Sequence, residues 1–213
     1  MSPLLISKHC DKHGPFNAWS AGNYSTPCPK CVRLKKEMPR SGIPFRYFEK
    51  TLENYYAENE GQKRALAVAR EWQGGNLLFF GAVGTGKTHL GIALARAIIE
   101  EGGTAIYARA AQITAEIKET WGTNKPERIV FEKYAEPDLL ILDEIGRQRA
   151  TDTERLALFE VIHRRYEQQK PIIAISNLDG ENLREYLGDA AIDRLRENGR
   201  AVLFDWKSCR FKI

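Results

Sequence analysis

The residues most plainly suited to chemistry in this 213-residue chain are Gly81-Ala82-Val83-Gly84-Thr85-Gly86-Lys87-Thr88. Glycines at this density let backbone N–H groups turn inward around phosphate oxygens. A lysine directly after them reaches the β- and γ-phosphates, and the hydroxyl of Thr88 is placed to ligate Mg2+. The flanks fit the motif. Asn76-Leu77-Leu78-Phe79-Phe80 is an apolar run of strand length, and a helical pattern runs from about Thr88 to Glu101. The loop would then open a helix, whose N-terminus favours anions. A merely flexible glycine loop leaves the Lys-Thr pair unexplained. A nucleoside triphosphate is therefore expected in a cradle running from Gly81 through Thr88 to His89.

Two further segments supply groups for using such a ligand. Asp138-Leu139-Leu140-Ile141-Leu142-Asp143-Glu144 is an apolar strand ending in paired carboxylates. Asp143 would hold the magnesium shell through water, and Glu144 would polarise an attacking water as general base. Pro171-Ile172-Ile173-Ala174-Ile175-Ser176-Asn177 is another buried-strand pattern with an amide at its C-terminal end, where open α/β sheets bind ligands. Asn177 would orient the water or sense the γ-phosphate, although asparagine is also a common turn former.

A different chemistry lies near the N-terminus. Cys10 and His13 form one x2 pair and Cys28 and Cys31 another, with fourteen residues between. Three thiolates and an imidazole suit a closed tetrahedral Zn2+ site. Large apolar residues are few there (Phe16, Trp19, Tyr24, Val32), so metal binding would supply much of the folding energy. A Cys28/Cys31 redox pair is the alternative, but no strand leads into it, and it leaves Cys10 and His13 without a role. Disulfide pairing leaves one of the three cysteines over. His9 would replace His13 only by breaking the pair spacing. Cys209 stands apart, with a small core residue as its default role.

The elements that must position these groups follow from periodicity. Strands are expected at 77–80, 104–109, 138–142, 171–176 and 201–205, separated by helical patterns that include Gln62 to Gln73. This is an α/β fold with a five-stranded parallel sheet flanked by helices. Two helical pieces, Ala111–Trp121 and Pro126–Tyr134, occupy the stretch between the second and third strands. A linker-like segment, 38–44, separates a head at 1–40 from a body at 41–213. Residues 1–50 carry nine Lys/Arg against three Asp/Glu, whereas the whole chain is only +4, so a partner touched by the head is expected, either nucleic acid or an acidic protein face. Solvated lysines would give the same count. No apolar run approaches a membrane span, and 3–6 is too short for a signal-peptide core, so a cytoplasmic protein is expected.

Taken together, these motifs resemble the AAA+ ATPases of the DnaC/DnaI helicase-loader group and, more loosely, the IstB transposition helpers. Gly81–Thr88 corresponds to Walker A, Leu139–Glu144 to Walker B and Ser176-Asn177 to sensor 1. Residues 42–55 look like the lead-in that precedes the ATPase core in such loaders, and the zinc head is similar to that of phage- or prophage-type members. The resemblance implies ATP or ADP with Mg2+ as ligands. It implies an arginine finger at Arg194, within Asp193-Arg194-Leu195, acting on a neighbouring subunit's ATP. It also implies a sensor 2 arginine at Arg210, although the 36 residues after Asn177 are too few for a full C-terminal lid. The double-helix insertion resembles the initiator-type insertion that meets single strands, with Lys118, Lys125 and Arg128 facing phosphates. The implied activity is ATP-dependent loading of a hexameric replicative helicase onto single-stranded DNA by a self-associating ATPase. An IstB-like helper acting on duplex DNA and a zinc adaptor with little hydrolysis are the rival readings.

Overall fold

The computed structural model describes residues 4–21, 24–147 and 151–209. The head opens with an antiparallel hairpin of β1 (Leu4–Cys10) and β2 (Gly14–Ala21), extended by the short β3 (Tyr24–Ser25) and followed by α1 (Pro29–Glu37). Along this hairpin Leu5 pairs with Trp19, and both are more than half exposed. Val32 is exposed as well, so these three apolar side chains form no buried core of the head's own. Leu34 of α1 is buried, but in the same cluster as the body's Leu90 and Ile99.

The body begins with a lead-in that wraps the sheet, then α2 (Glu60–Arg70), β4 (Leu77–Gly81) and α3 (Lys87–Glu101). Asn59 and Gln62 form a reciprocal capping box at the start of α2, which fixes where that helix begins. Next come β5 (Ala105–Arg109), α4 (Ala110–Lys118), α5 (Glu127–Ala135) and β6 (Leu139–Ile145). The chain then runs through α6 (Asp152–Glu167), β7 (Ile172–Ser176), α7 (Gly180–Leu187), α8 (Asp189–Arg196) and β8 (Arg200–Phe204). The five body strands are all parallel, in the order β5-β6-β7-β4-β8. Each of the five strands read from the sequence is present, and the insertion does form two helices.

Alternation explains why the central strands read as unbroken apolar runs. Leu77, Phe79, Leu139, Ile141 and Ile173 point to a core shared with α2, α3 and the lead-in. Leu78, Leu140, Leu142 and Ala174 point to the opposite core, under α4, α5 and α6. Both faces are dry, as a parallel sheet between helix layers requires. Among the described residues no helix is long and apolar enough to cross a membrane.

The largest of the fully buried side chains among the described residues is a polar one. Arg165 of α6 is fully buried and donates to the carbonyls of Tyr134 (3.0 Å), Pro137 (2.9 Å) and Pro171 (2.7 Å), pinning the end of α5 and the approaches to β6 and β7. Burial lowers its pKa to about 10, so it remains charged at neutral pH. Arg165→Met would strand these carbonyls. A loss of about 3 kcal/mol is expected in urea unfolding, with several buried acceptors left unpaired; a change within experimental error would show that the clip is dispensable.

Candidate nucleotide site and metal cluster

The sheet order sets the site. β4 lies between β7 and β8, with β6 next along, so the loop after β4 opens beside the C-terminal ends that carry Asn177 and Asp143. Together they line an open cleft of about 400 Å3. Gly86 adopts φ +97° immediately before α3. A Cβ there would fall 2.7 Å from the Tyr55 ring, so glycine is needed both for the backbone and for the packing. Three donors hold the loop from behind: Tyr55 Oη and Trp206 Nε1 donate to the Thr85 carbonyl (3.3 and 3.0 Å), and the Cys209 backbone N–H donates to the Gly84 carbonyl (2.9 Å).

Lys87 is buried at the mouth of the loop, with its ammonium donating to the carbonyls of Gly81 (2.8 Å) and Ala82 (2.6 Å). Ala82, Val83, Thr85 and Thr88 follow the same turn, and His89 lies one residue further on, its Nε2–H donating to the Thr51 carbonyl at 2.9 Å. The Thr88 hydroxyl donates to Asp143 Oδ2 at 2.9 Å, and Tyr107 Oη to the same oxygen at 3.0 Å. The hydroxyl and carboxylate in contact at the start of this helix are oxygen donors of the kind a hard divalent ion takes. When bound, magnesium would neutralise phosphate charge there.

β6 is irregular at this point. Its pairing with β7 shifts register between Leu142 and Ile145, and Glu144 sits at φ +58°, a strained backbone for a non-glycine residue. The bulge turns the two carboxylates apart. Asp143 faces inward and accepts the Glu144 backbone N–H at 2.7 Å, whereas Glu144 lines the cleft with its carboxylate on Arg147 at 2.6 Å. Sequence reasoning gave Arg147 no part, because its pairing depends on this turn. Ser176 donates to the Ile145 carbonyl (2.8 Å), tying the ends of β6 and β7 together, and the exposed Asn177 lines the cleft beyond it.

The remaining expected residues lie elsewhere. Arg194 is on α8, outside the lining of its own chain's cleft, stacked on Phe159 at 4.9 Å and donating to His163 Nδ1 at 3.2 Å. Arg210 falls outside the described residues. Lys118 and Lys125 are exposed on and after α4, and Arg128 on α5 pairs with Glu132 at 2.6 Å. Cys209 is not the core residue expected of it. It is exposed on the rim of the cleft, accepts from Gln62 Nε2 at 3.2 Å, and belongs to the tail that braces the phosphate loop.

In the head, Cys10, His13, Cys28 and Cys31 converge, their ligand atoms all within 4.8 Å of one another. His13 Nδ1 lies 3.6, 3.5 and 3.3 Å from the three sulfurs, and Cys10 Sγ lies 3.7 Å from Cys31 Sγ. Zinc bond lengths in a tetrahedron give about 3.5 Å for sulfur–nitrogen and about 3.8 Å for sulfur–sulfur edges, so the set fits Zn2+. The Lys12 backbone N–H brings the Cys10 thiol down to about 6, while burial pushes Cys31 up to about 11. His9, the alternative ligand, is exposed on β1 and outside the cluster.

With this geometry in view, the relatives can be compared. Residues 49–212 match the family of IstB-like ATP-binding proteins. The chain belongs to this family of AAA+ ATPases, of the IstB/DnaC type. It is 33% identical over 186 residues to the uncharacterized protein YdaV of Escherichia coli strain K12, covering 84% of this chain and 75% of that one. It is 30% identical over 192 residues to the replicative helicase loader DnaC of the same strain, covering 86% and 78%. The crystal structure of the DnaC helicase loader superposes with a TM-score of 0.68 at 25% identity, covering 76% of this chain and 100% of that one. The family match begins after the Cys/His cluster, so the head must be argued from its own geometry.

Burial raises the Asp143 pKa above the usual carboxylate range, with the Glu144, Thr88 and Tyr107 donors only partly offsetting it. A folded pKa above the unfolded one means the ionised group costs stability once pH exceeds the unfolded value, with the full cost present above the folded value. Asp143→Asn is therefore expected to melt higher than the wild-type protein at pH 7 in metal-free buffer. The gap should close as pH falls through the carboxylate range. A lower melting point at pH 7 would contradict this.

Proposed function

We propose that this chain is an ATP-dependent loader of a hexameric replicative DNA helicase, acting on single-stranded DNA as a self-associating ATPase. The observation that carries the reading is a phosphate loop with Thr88 against Asp143, in a chain 30% identical over most of its length to a protein named for helicase loading. Lys87 and the loop of residues 81–89 hold ATP or ADP, and Thr88 and Asp143 hold Mg2+. Glu144 leaves Arg147 to take a proton from the attacking water, and Asn177 positions that water. Arg194, bound to α6 of its own subunit, serves a neighbour's cleft, and Arg210 completes the site as sensor 2. The head at 1–40 is a zinc-bearing docking module for the helicase, with the exposed Leu5–Trp19 pair and its basic charge as the contact face. The body at 41–213 meets single strands through Lys118, Lys125 and Arg128. Such work belongs in the cytoplasm.

Three experiments test this reading. Co-purification with a hexameric helicase is expected for the wild-type chain and not for Cys28→Ser, and ATP turnover should rise with single-stranded more than with duplex DNA. Preference for duplex DNA would favour the transposition-helper reading, and no turnover with any DNA or partner would favour a nucleotide-binding adaptor. Mixing Arg194→Ala with Lys87→Ala subunits should restore part of the lost ATPase activity, because one mixed interface keeps both an intact phosphate loop and an intact finger. No recovery at any ratio would exclude action between subunits.

A further inference from the structure

The metal cluster and the nucleotide cleft lie at opposite ends of α3, roughly 20 Å apart for a helix of this length. Both ends are in use. Lys87 and Thr88 open the helix in the cleft, and Glu100 at its other end faces His13, with His13 Nε2 3.4 Å from Glu100 Oε1. Because Nδ1 faces the three sulfurs, Nε2 is the nitrogen that carries the proton and donates it to this carboxylate. A carboxylate behind a metal-bound imidazole fixes its tautomer and raises its basicity as a ligand. Glu100 also accepts from Arg96 Nε at 2.8 Å, and Arg33 of α1 donates to the Glu100 carbonyl at 2.6 Å.

The contacts continue to the phosphate loop. Arg96 Nη1 donates to the Phe48 carbonyl at 2.5 Å, fixing the lead-in segment. Three residues later the Thr51 carbonyl accepts from His89. The lead-in then supplies Tyr55, which meets the His89 ring edge-on at 5.2 Å and donates to the Thr85 carbonyl behind the loop. The side chains of His13, Arg96 and Glu100 are 8%, 9% and 19% exposed, so these hydrogen bonds form with little competition from solvent.

We propose that Glu100 is the outer-sphere partner of the head's metal, and that through Arg96 and the lead-in it links metal binding to nucleotide binding. Zinc on His13 strengthens the Nε2–H bond to Glu100 and holds its carboxylate in place for Arg96. Arg96 in turn holds the wall of the cleft from which Tyr55 braces the loop. The linkage is reciprocal: nucleotide must tighten zinc by the factor by which zinc tightens nucleotide. The proposal rests on the zinc and nucleotide assignments above.

The test uses the full chain loaded with zinc. Zinc affinity is measured by competition with a chromophoric chelator, and nucleotide affinity with a fluorescent ADP analogue. Glu100→Gln and Glu100→Ala are expected to weaken zinc by about ten-fold or more, whereas Glu101→Gln, one residue on and exposed, should leave it unchanged. In the wild-type protein, removing zinc should weaken the ADP analogue by about five-fold, and saturating analogue should tighten zinc equally. In zinc-loaded Glu100→Gln that factor should fall close to one. Wild-type zinc affinity in both Glu100 variants overturns the proposal, as does analogue affinity indifferent to zinc in the wild-type chain. Wild-type protein that binds zinc and nucleotide independently overturns this proposal alone. Protein that binds no zinc, or no nucleotide, overturns the corresponding assignment and the proposal with it.

Discussion

The structure turns on one constraint: the loop between β4 and α3 must hold one shape, with Gly86 at a left-handed φ and the Ala82 N–H tied back to the Phe204 carbonyl at 2.8 Å. A loop of glycines does not hold such a shape unaided, since the freedom that permits it also disperses it. Here the loop is braced through its outward-facing carbonyls. Tyr55 from the lead-in and Trp206 from the tail share the Thr85 carbonyl, and the Cys209 amide takes that of Gly84. Residues more than a hundred positions apart thus preorganise a single anion cradle. The order β5-β6-β7-β4-β8 then brings Asp143 and Asn177 to the cradle's open side.

The second organising feature is α3. Its first turn belongs to the cleft, its flank to the core shared with Leu34 of the head, and its last turn to the metal cluster. The head is therefore not an ornament on a tether. Its hairpin meets α1 at the Cys/His cluster, and Leu34 of that helix is packed into the body's core. That arrangement lets a small segment with almost no apolar core keep a defined shape.

Much of this was legible in the residues themselves. The glycine-rich turn into a helix at Gly84, Gly86, Lys87 and Thr88 is a local pattern, and so is the x2 spacing of the two Cys/His pairs that converge in the fold. The five strands showed because both faces of a parallel sheet are buried, which leaves unbroken apolar runs. What escaped depends on contacts across the fold. Nothing in a sequence marks Glu100 as facing His13, or Arg165 as a buried clip for carbonyls from three segments. Cys209 reads as a small apolar residue, and only the path of the tail after β8 brings it to the cleft. Arg147 escaped because its hold on Glu144 comes from a left-handed turn after a bulge, a feature without a residue signature when glutamate occupies it.

Calorimetric titration of the zinc-loaded protein with ATP and magnesium tests the central claim most directly, with Lys87→Ala as the comparison. The account predicts one nucleotide bound per chain, and loss of that binding in a Lys87→Ala protein that remains folded by circular dichroism. A folded wild-type protein that takes up no nucleotide, or a Lys87→Ala protein that binds ATP as tightly as wild type, would contradict it.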